Sequence, residues 1–256
     1  MLRKLESLLI HRRSFELIFI ERKKMSTVWI LSFGDRESTQ DIDQESFAGG
    51  KPKLPSGTAI PHCKLCGDEQ SFFFQLAFPD GHIWEKNSLA VFGCTSCAND
   101  EYLIPEMLNT TLYQANIPAN FLEDYQVNFA LLIFETAQGE LVSSYETKVS
   151  YKPITLAPAL DRSINDSRVG GEPVWYLDDE GPATCDSKYK MHFLFQLAEG
   201  IQFEIEKGSP GQAVLDILGK SELSENNYYD LFLENFIYFY GVDVGDKKLV
   251  YVLTQI

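Results

Sequence analysis

Short runs of apolar and aromatic residues, separated by turn-forming residues, recur along most of the chain. Five runs have the length and composition of β-strands, and they lie at 28–31, 89–92, 129–134, 236–240 and 249–253. Runs of this length that are rich in β-branched and aromatic side chains and end at Gly, Asp or Asn are typical of strands. We therefore predict an α+β fold in which β-structure dominates.

Helical patterns are fewer and shorter. The candidates are 121–125, then 212–218, and finally 228–234. The second follows Ser209-Pro210 and stops at Gly219, and proline near the start with glycine after the end is the usual pattern of helix boundaries. The sequence predicts few short helices.

Two segments share a pattern at a constant offset of 121 residues. Gly-Gly-Lys-Pro at 49–52 recurs as Gly-Gly-Glu-Pro at 170–173, and Phe-Phe-Phe-Gln-Leu-Ala at 72–77 recurs as Phe-Leu-Phe-Gln-Leu-Ala at 193–198. Two matches at one offset are hard to obtain by chance, so we expect two similar lobes that arose by internal duplication. The repeated glutamine is expected to bond the backbone of a neighbouring loop, because buried amides are usually satisfied in this way.

The repeat and the local composition suggest four segments. We predict an extension at 1–25, a first lobe at 26–151, a linker at 152–167 and a second lobe at 168–256. The linker prediction rests on two prolines and weak periodicity. The extension precedes Met25, which is followed by an apolar run like a natural protein start, so we expect it to be non-native or poorly ordered.

The net charge of −15 is unevenly distributed. Residues 1–25 carry seven basic and three acidic side chains, a net of +4, so the rest of the chain carries −19. Such a surface repels nucleic acid and anionic lipid and attracts basic proteins, although solubility alone is an alternative reason for it. No apolar run reaches the ~18 residues of a membrane span or resembles a signal peptide, so we expect a cytoplasmic protein without membrane contact.

Four of the five cysteines form two Cys-x-x-Cys pairs, Cys63 with Cys66 and Cys94 with Cys97. In a reducing compartment such pairs favour metal binding over disulfides. Four thiolates at this spacing predict a closed tetrahedral zinc site that is structural. An iron–sulfur cluster or a redox pair would use the same residue type, but the spacing and the number of pairs fit these alternatives less well.

The remaining metal-binding side chains are expected to be bystanders. His62 and His82 flank the cysteine pairs, and Cys185 has no Cys-x-x-Cys partner. Zinc in the first lobe would supply folding energy there. Loss of one ligand is therefore expected to unfold the first lobe more than the second.

Catalytic motifs are absent from the sequence. It contains no glycine-rich phosphate loop, no Gly-x-Ser-x-Gly elbow and no His-Glu-x-x-His helix. His192 lies in an aromatic run and is expected to be a satisfied residue. We predict no catalytic residues, no organic cofactor site and no enzymatic activity.

The order of these motifs resembles two known families. Gly-Gly-Lys-Pro-Lys-Leu-Pro at 49–55, followed by Pro61 and Phe-Phe-Phe-Gln-Leu at 72–76, resembles the bacterial YwqG-like family, which usually has a duplicated, β-rich fold. The interspersed cysteine pairs are similar to the zinc-bearing half of the programmed cell death protein 2 family, and Gly-Glu-Pro-Val-Trp at 171–175 matches its form of the turn. The chain lacks that family's C-terminal cysteine-rich portion, and many YwqG-like members lack the cysteines.

The resemblance implies a binding protein. Some YwqG-like proteins lie among toxin and immunity genes, and the eukaryotic relatives are thought to be chaperones for a ribosomal protein. We expect a non-enzymatic, cytosolic protein-binding protein with a structural zinc ion, acting as an immunity protein that neutralises a toxin. The alternatives are a chaperone-like binder of a basic client, and an enzyme or small-molecule binder that uses the cleft between the lobes.

Overall fold

The computed structural model describes residues 27–98, 105–108, 110–159 and 163–256. The predicted extension at 1–25 lies outside the described residues, as do residues 160–162 of the predicted linker. The strands are β1 (Val28–Phe33), β2 (Phe47–Ala48), β3 (Lys53–Pro55), β4 (Ser71–Ala77), β5 (Asn87–Gly93), β6 (Asn116–Ile117), β7 (Phe129–Glu135), β8 (Gly139–Leu141), β9 (Lys152–Ala159), β10 (Arg168–Val169), β11 (Thr184–Cys185), β12 (Tyr189–Lys190), β13 (His192–Leu197), β14 (Gln202–Glu204), β15 (Ala213–Leu215), β16 (Ser221–Leu223), β17 (Tyr228–Asp230), β18 (Phe236–Val244) and β19 (Lys247–Gln255). The helices of the described residues are α1 (Ala119–Asp124) and two short 3-10 helices, Thr136–Gln138 and Phe232–Glu234.

Ten strands form one nearly closed antiparallel sheet in the order β19-β18-β13-β10-β1-β9-β2-β4-β5-β7. The edge strands β7 and β19 approach one another, and α1 packs beside β19. The other strands form a three-stranded sheet, β12-β11-β6, and the pairs β14-β17, β15-β16 and β3-β8. The prediction of a β-dominated fold with few short helices is confirmed. Within the described ranges, no helix is long and apolar enough to span a membrane.

The aromatic strand β4 is buried on both faces. Successive side chains of a strand point to opposite faces, so Phe72 packs in a smaller apolar core, whereas Phe73 belongs to the main one. A bulge between Phe72 and Phe74 brings Phe74 to the same core as Phe73. Because β4 serves two cores, its seven residues form an almost unbroken apolar run.

The segment predicted as a linker is instead a central strand. Lys152–Ala159 forms β9, which pairs along its length with β1 and at its start with β2. Pro153 lacks an amide proton, but its carbonyl still accepts a hydrogen bond from the Gly34 N–H at 2.8 Å. The pairing partners lie more than a hundred residues away in the chain, so local composition gave no sign of this strand.

Helix α1 confirms the helix predicted at 121–125. The prediction at 212–218 is wrong, because this segment forms β15 and the turn before β16. The Asp216 carboxylate accepts the N–H groups of Leu218 and Lys220 at 2.8 Å, and Gly219 adopts φ +74°. Aspartate and glycine in these roles favour a turn over a helix.

The helix predicted at 228–234 is also wrong. Tyr228–Asp230 forms β17, which pairs with β14. The next residues, Phe232–Glu234, are the second of the short 3-10 helices, and this single turn is left-handed, with φ between 54° and 58°. Two adjacent tyrosines favour a strand, and a left-handed turn cannot be recognised from a sequence without glycine.

The two repeated segments have the same strand register at the same offset. Phe47 pairs with Gln75 in the first half, and Arg168 pairs with Gln196 in the second. A serine hydroxyl accepts a strand N–H in each half, Ala77 N–Ser46 Oγ and Ala198 N–Ser167 Oγ. A glycine N–H donates to the strand in each half, Gly49 N–Phe73 O and Gly170 N–Leu194 O. The bulges after Phe72 and Phe193 are also equivalent.

The repeated glutamines bond the backbone of neighbouring loops, as predicted. Gln75 Oε1 accepts the Lys53 N–H, and its Nε2 donates to Glu45 O. Gln196 Oε1 accepts the Val174 N–H at 2.8 Å, and its Nε2 donates to Val174 O at 3.3 Å. Both side chains are fully buried and are used by the fold.

Candidate metal centre

The first cysteine pair lies in a tight loop between β3 and β4. The Cys63 N–H donates to Asp68 O, and the Gly67 N–H donates to Cys63 O. Gly67 has φ +83°, and the space around a Cβ at this position is open. Glycine is therefore required here for the backbone conformation and not for room. The loop turns both sulfur atoms toward the same point.

The second cysteine pair follows the end of β5. The Cys94 N–H donates to Asn128 O at 2.8 Å, and the Lys64 N–H of the first loop donates to Val127 O at 2.9 Å. Both cysteine loops are therefore attached to the short segment that precedes β7. Two strand ends and this segment set the separation of the two pairs.

The four sulfur atoms form one cluster. All of them lie within 4.8 Å of one another. Three of the Sγ–Sγ distances are 3.9 Å for Cys63–Cys97, 3.7 Å for Cys66–Cys94 and 3.5 Å for Cys94–Cys97. Four thiolates at ~2.3 Å around a tetrahedral zinc ion would be ~3.8 Å apart, whereas a disulfide needs about 2.05 Å. The cluster has the dimensions of a metal site.

Backbone amides favour the thiolate form within this cluster. Burial opposes ionisation of Cys63, but the N–H groups of Cys66 and Leu65 donate to its sulfur, and its pKa lies below the usual value. Burial raises the pKa of the Cys94 thiol to about 11, although the amides of Ser96 and Cys97 oppose this increase. A bound cation would stabilise all four thiolates and remove the cost of burying them.

The flanking histidines lie outside the cysteine cluster. His62 Nδ1 is 2.9 Å from Gly67 O. His82 is buried, donates from Nε2 to Leu194 O at 3.2 Å and accepts the Trp84 N–H at Nδ1. Its ring stacks on Phe78 with a centroid distance of 4.5 Å. These hydrogen bonds assign His82 a packing role between the two halves.

Four thiols at these distances could complete a tetrahedral coordination shell around one metal ion by themselves. Such a shell leaves no position for water or substrate, which is the arrangement of a structural site. A comparison with protein-family models and with curated proteins finds no match to this chain. The resemblance to the YwqG-like and programmed cell death protein 2 families therefore stays a prediction.

A hairpin that the sequence patterns did not predict is attached to the cluster. The Ala213 N–H, at the start of β15, donates to Thr95 O at 3.0 Å, and Thr95 lies between Cys94 and Cys97. Ile217, at the tip of this hairpin, is fully exposed, with a relative accessibility of 101%. The signal that would have revealed the hairpin is Asp216 followed by Gly219, a turn pattern between two short apolar runs.

Proposed function

We propose that this chain is a non-enzymatic protein-binding protein in which a structural zinc ion supports a docking surface for a basic partner. The observation that carries the proposal is an exposed apolar hairpin that is anchored to the cysteine cluster. We call residues 212–224 the docking hairpin. Zinc is proposed as the metal because its usual sulfur ligands and bond lengths fit four thiols at these distances.

The apolar side chains of the docking hairpin have no cover within the described chain. Leu218 is 74% exposed and Leu223 is 60% exposed, in addition to the fully exposed Ile217. Single exposed apolar residues are common, but three on one short hairpin make it a candidate interaction site. These residues would be the apolar contacts of the proposed interface.

The base of the docking hairpin is held firmly. Gln212 exchanges two hydrogen bonds with the backbone of Asp230, donating to its O and accepting from its N–H. The Ser224 N–H donates to Gln212 O, and Ala213 is attached to Thr95 beside the cysteines. A zinc ion that fixes the Cys94–Cys97 loop would therefore also fix the hairpin. A preordered element loses less entropy on binding.

The charge of the chain favours a basic partner. The hairpin carries Asp216 and Glu222 with Lys220, and Glu225 follows it. The five ion pairs among the described residues use four carboxylates, Glu123, Glu204, Glu206 and Asp243, so most acidic side chains keep their charge unneutralised. An excess of negative potential steers positively charged proteins toward the surface.

The first specific form of this proposal is an immunity protein that covers a basic toxin. A chaperone-like binder of a basic client would use the same surface, and the identity of the partner separates the two. A cytoplasmic location is proposed because all five cysteines are free thiols, and free thiols persist in a reducing compartment.

The two halves are proposed to descend from a duplication. The equal registers of β2–β4 and β10–β13, the equivalent bulges and the equivalent serine and glycine hydrogen bonds support this origin. The cysteine pairs would then be an addition to one half, because the second half has only Cys185 in the main core.

The proposed function is tested by affinity capture from the native host. The tagged full-length chain is compared with an Ile217→Ser, Leu218→Ser variant and with Leu177→Ser, a control at an exposed apolar residue on another loop. We expect the wild-type chain and the control to capture one basic protein in stoichiometric amount, and the hairpin variant to capture at least about tenfold less. The captured protein is identified by mass spectrometry.

Two results decide the outcome: whether a partner is captured in stoichiometric amount, and whether the hairpin variant captures less of it. Capture of no stoichiometric partner, or equal capture by the hairpin variant, would contradict the proposal. A captured protein that arrests growth when expressed alone, but not with this chain, would identify an immunity protein. A basic protein that is harmless alone and precipitates without this chain would identify a chaperone client.

A further inference from the structure

A cavity of about 450 Å³ opens between the two halves, and none of the four clustered cysteines lines it. Its walls are the loop of Gly81 to Ile83, the second Gly-Gly turn at 170–173, the loop at 179–183 and the strands β12 and β13 with Tyr240 of β18. Its volume is in the range of ordinary small-molecule sites. Neither Gln75 nor Gln196 lines it, and both amides bond backbone groups of neighbouring loops.

A largely buried tyrosine lines this cavity, and its hydroxyl has no protein partner among the described residues. Tyr240 is 5% exposed, and its Oη makes no hydrogen bond within the part of the chain that the structure describes. This oxygen is not among the polar atoms of the described residues that are sealed from solvent, so it is accessible from the cavity and can accept a hydrogen bond from a ligand.

Glycine at position 181 keeps the space beside this hydroxyl open. A Cβ there would lie 2.8 Å from Tyr240 Oη and 3.0 Å from Asp179 Oδ1. Gly181 does not need glycine for its backbone conformation, because its φ is outside the left-handed region. Glycine is needed here because any larger side chain would occupy this space. Its absence of a side chain lets the Tyr240 phenol and the Asp179 carboxylate face the same space.

Negative charge predominates in the cavity lining. Glu172 and Asp179 line it and belong to no ion pair among the described residues, and Lys190 is the one lysine of the lining. Burial, together with these two carboxylates, raises the pKa of Tyr240. Burial also lowers the pKa of both lining histidines, His82 and His192, which favours their neutral forms.

Other parts of the lining are apolar. Trp29 and Phe193 present aromatic surface, and Met191 adds a thioether chain. Aromatic faces attract cations and also pack well against short carbon chains. The cavity therefore combines oxygen acceptors at one part of its lining with aromatic contact surface at another.

We propose that this cavity binds a small molecule with a primary ammonium group. The ammonium donates to Tyr240 Oη and to the carboxylates of Asp179 and Glu172, and its carbon skeleton packs on Trp29 and Phe193. An ammonium group has three N–H donors, which matches three acceptors. This site goes beyond the proposed protein-binding function and does not depend on it.

The test is isothermal titration of the full-length, zinc-loaded chain with 1,4-diaminobutane. Butane-1,4-diol has the same carbon skeleton without charge and serves as the ligand control. We expect saturable one-to-one binding of the diamine with Kd below about 1 mM, and no measurable binding of the diol. Physiological salt is used, because it screens unspecific attraction of a diamine to an acidic surface.

Variants locate the binding to the cavity. We expect Glu172→Gln with Asp179→Asn to weaken the diamine at least about tenfold, and Tyr240→Phe to weaken it about fivefold. Gly181→Val, which fills the space beside Tyr240, should abolish binding, whereas Glu225→Gln, an exposed carboxylate elsewhere, should leave it unchanged. Unchanged zinc content and melting temperature show that each variant is folded.

The proposal is overturned by any of three results. The first is that the diol binds as tightly as the diamine. The second is that the Glu172→Gln, Asp179→Asn variant binds the diamine as tightly as wild type. The third is that binding does not saturate below about 10 mM diamine. Because Tyr240→Phe and Gly181→Val act on the same cavity through different groups, failure of one variant to fold leaves the other as a decisive measurement.

Discussion

Cys63 and Cys94 are buried residues, while Cys66 is exposed. Buried thiolates are unfavourable without a nearby positive charge. Of the four thiols of the cluster, those of Cys63 and Cys94 receive the backbone N–H bonds described above. A metal ion shared by the four sulfur atoms would therefore stabilise the folded chain, because the unfolded chain does not hold a preformed site.

Replacement of Cys94 by serine is expected to abolish stoichiometric zinc binding. We expect the melting temperature to fall by about 10 °C or more, because loss of a ligand to a structural zinc site costs several kcal/mol of folding free energy. Zinc content is measured by metal analysis and stability by thermal unfolding. Cys185→Ala, which removes a buried thiol outside the cluster, should retain one zinc per chain; equal zinc content in Cys94→Ser would refute the site.

His82 is expected to make stability fall at mildly acidic pH. Burial lowers its pKa from 6.5 to about 4 in the folded chain, so the unfolded chain binds more protons between these values. Its contribution is present above pH 6.5 and is lost as the pH falls toward 4, by about 2 kcal/mol between pH 7 and pH 5.

The measurement is urea unfolding of wild type and His82→Gln at both pH values. The stability difference between the two proteins should shrink as the pH falls, and this comparison removes the effect of acid on the cysteines, which both proteins share. A difference that does not depend on pH would show that His82 is not buried in its neutral form.

At the scale of elements, Tyr125 links the two edges of the ten-stranded sheet. It lies between α1 and β7, and its hydroxyl donates to Val250 O at 2.8 Å and accepts the Val252 N–H at 3.2 Å, both in the edge strand β19. Unpaired strand edges are prone to association with other chains. The tyrosine therefore satisfies part of an open edge that strand pairing leaves unsatisfied.

Tyr125→Phe is expected to destabilise the chain by about 1–3 kcal/mol. The substitution leaves two buried backbone groups of β19 without their partner. Urea unfolding gives the free energy, and amide exchange of Val252 should become faster. Tyr113→Phe, at an exposed tyrosine, is the control and should change neither quantity. Unchanged exchange at Val252 would exclude the proposed link.

Elements with a strong local pattern were predictable, and elements fixed by distant partners were not. The apolar runs of β1, β5, β7, β18 and β19 identified those strands because their own side chains fill the core. Strand β9 carries two prolines and polar residues, and only its position between β1 and β2 makes it a strand. In the same way, the hairpin of β15 and β16 depends on its attachment to Thr95 and Asp230.

At the scale of the whole molecule, the main core is shared by the two halves. Phe74 packs edge to face against Phe195 and Phe239 at centroid distances of 6.2 and 6.3 Å, and Phe73 packs against Phe203 at 5.0 Å. Interactions that cross the boundary between two units couple their unfolding. We therefore expect loss of zinc to destabilise both halves together, and not chiefly the first lobe.

Removal of zinc by a chelator is expected to lower the stability of both halves in one transition. Amide exchange of Val91 in the first half and of Tyr238 in the second should accelerate together, because both belong to the continuous sheet. Circular dichroism follows the transition, and added zinc should restore it. A second transition that the chelator does not shift would show that the halves unfold independently.

The sequence by itself determined which four cysteines form the candidate metal centre, and it determined the β-rich character of the chain. Two Cys-x-x-Cys pairs bring ligands together through local turns, and apolar runs identify strands through their own burial, so both can be recognised within a few residues. The tertiary structure alone decided that β9 crosses the middle of one sheet, that a hairpin is attached to the cysteine cluster, and that Tyr240 faces Asp179 across the space left by Gly181. These features depend on contacts between residues far apart in the chain, and such contacts are set by the packing of the whole fold.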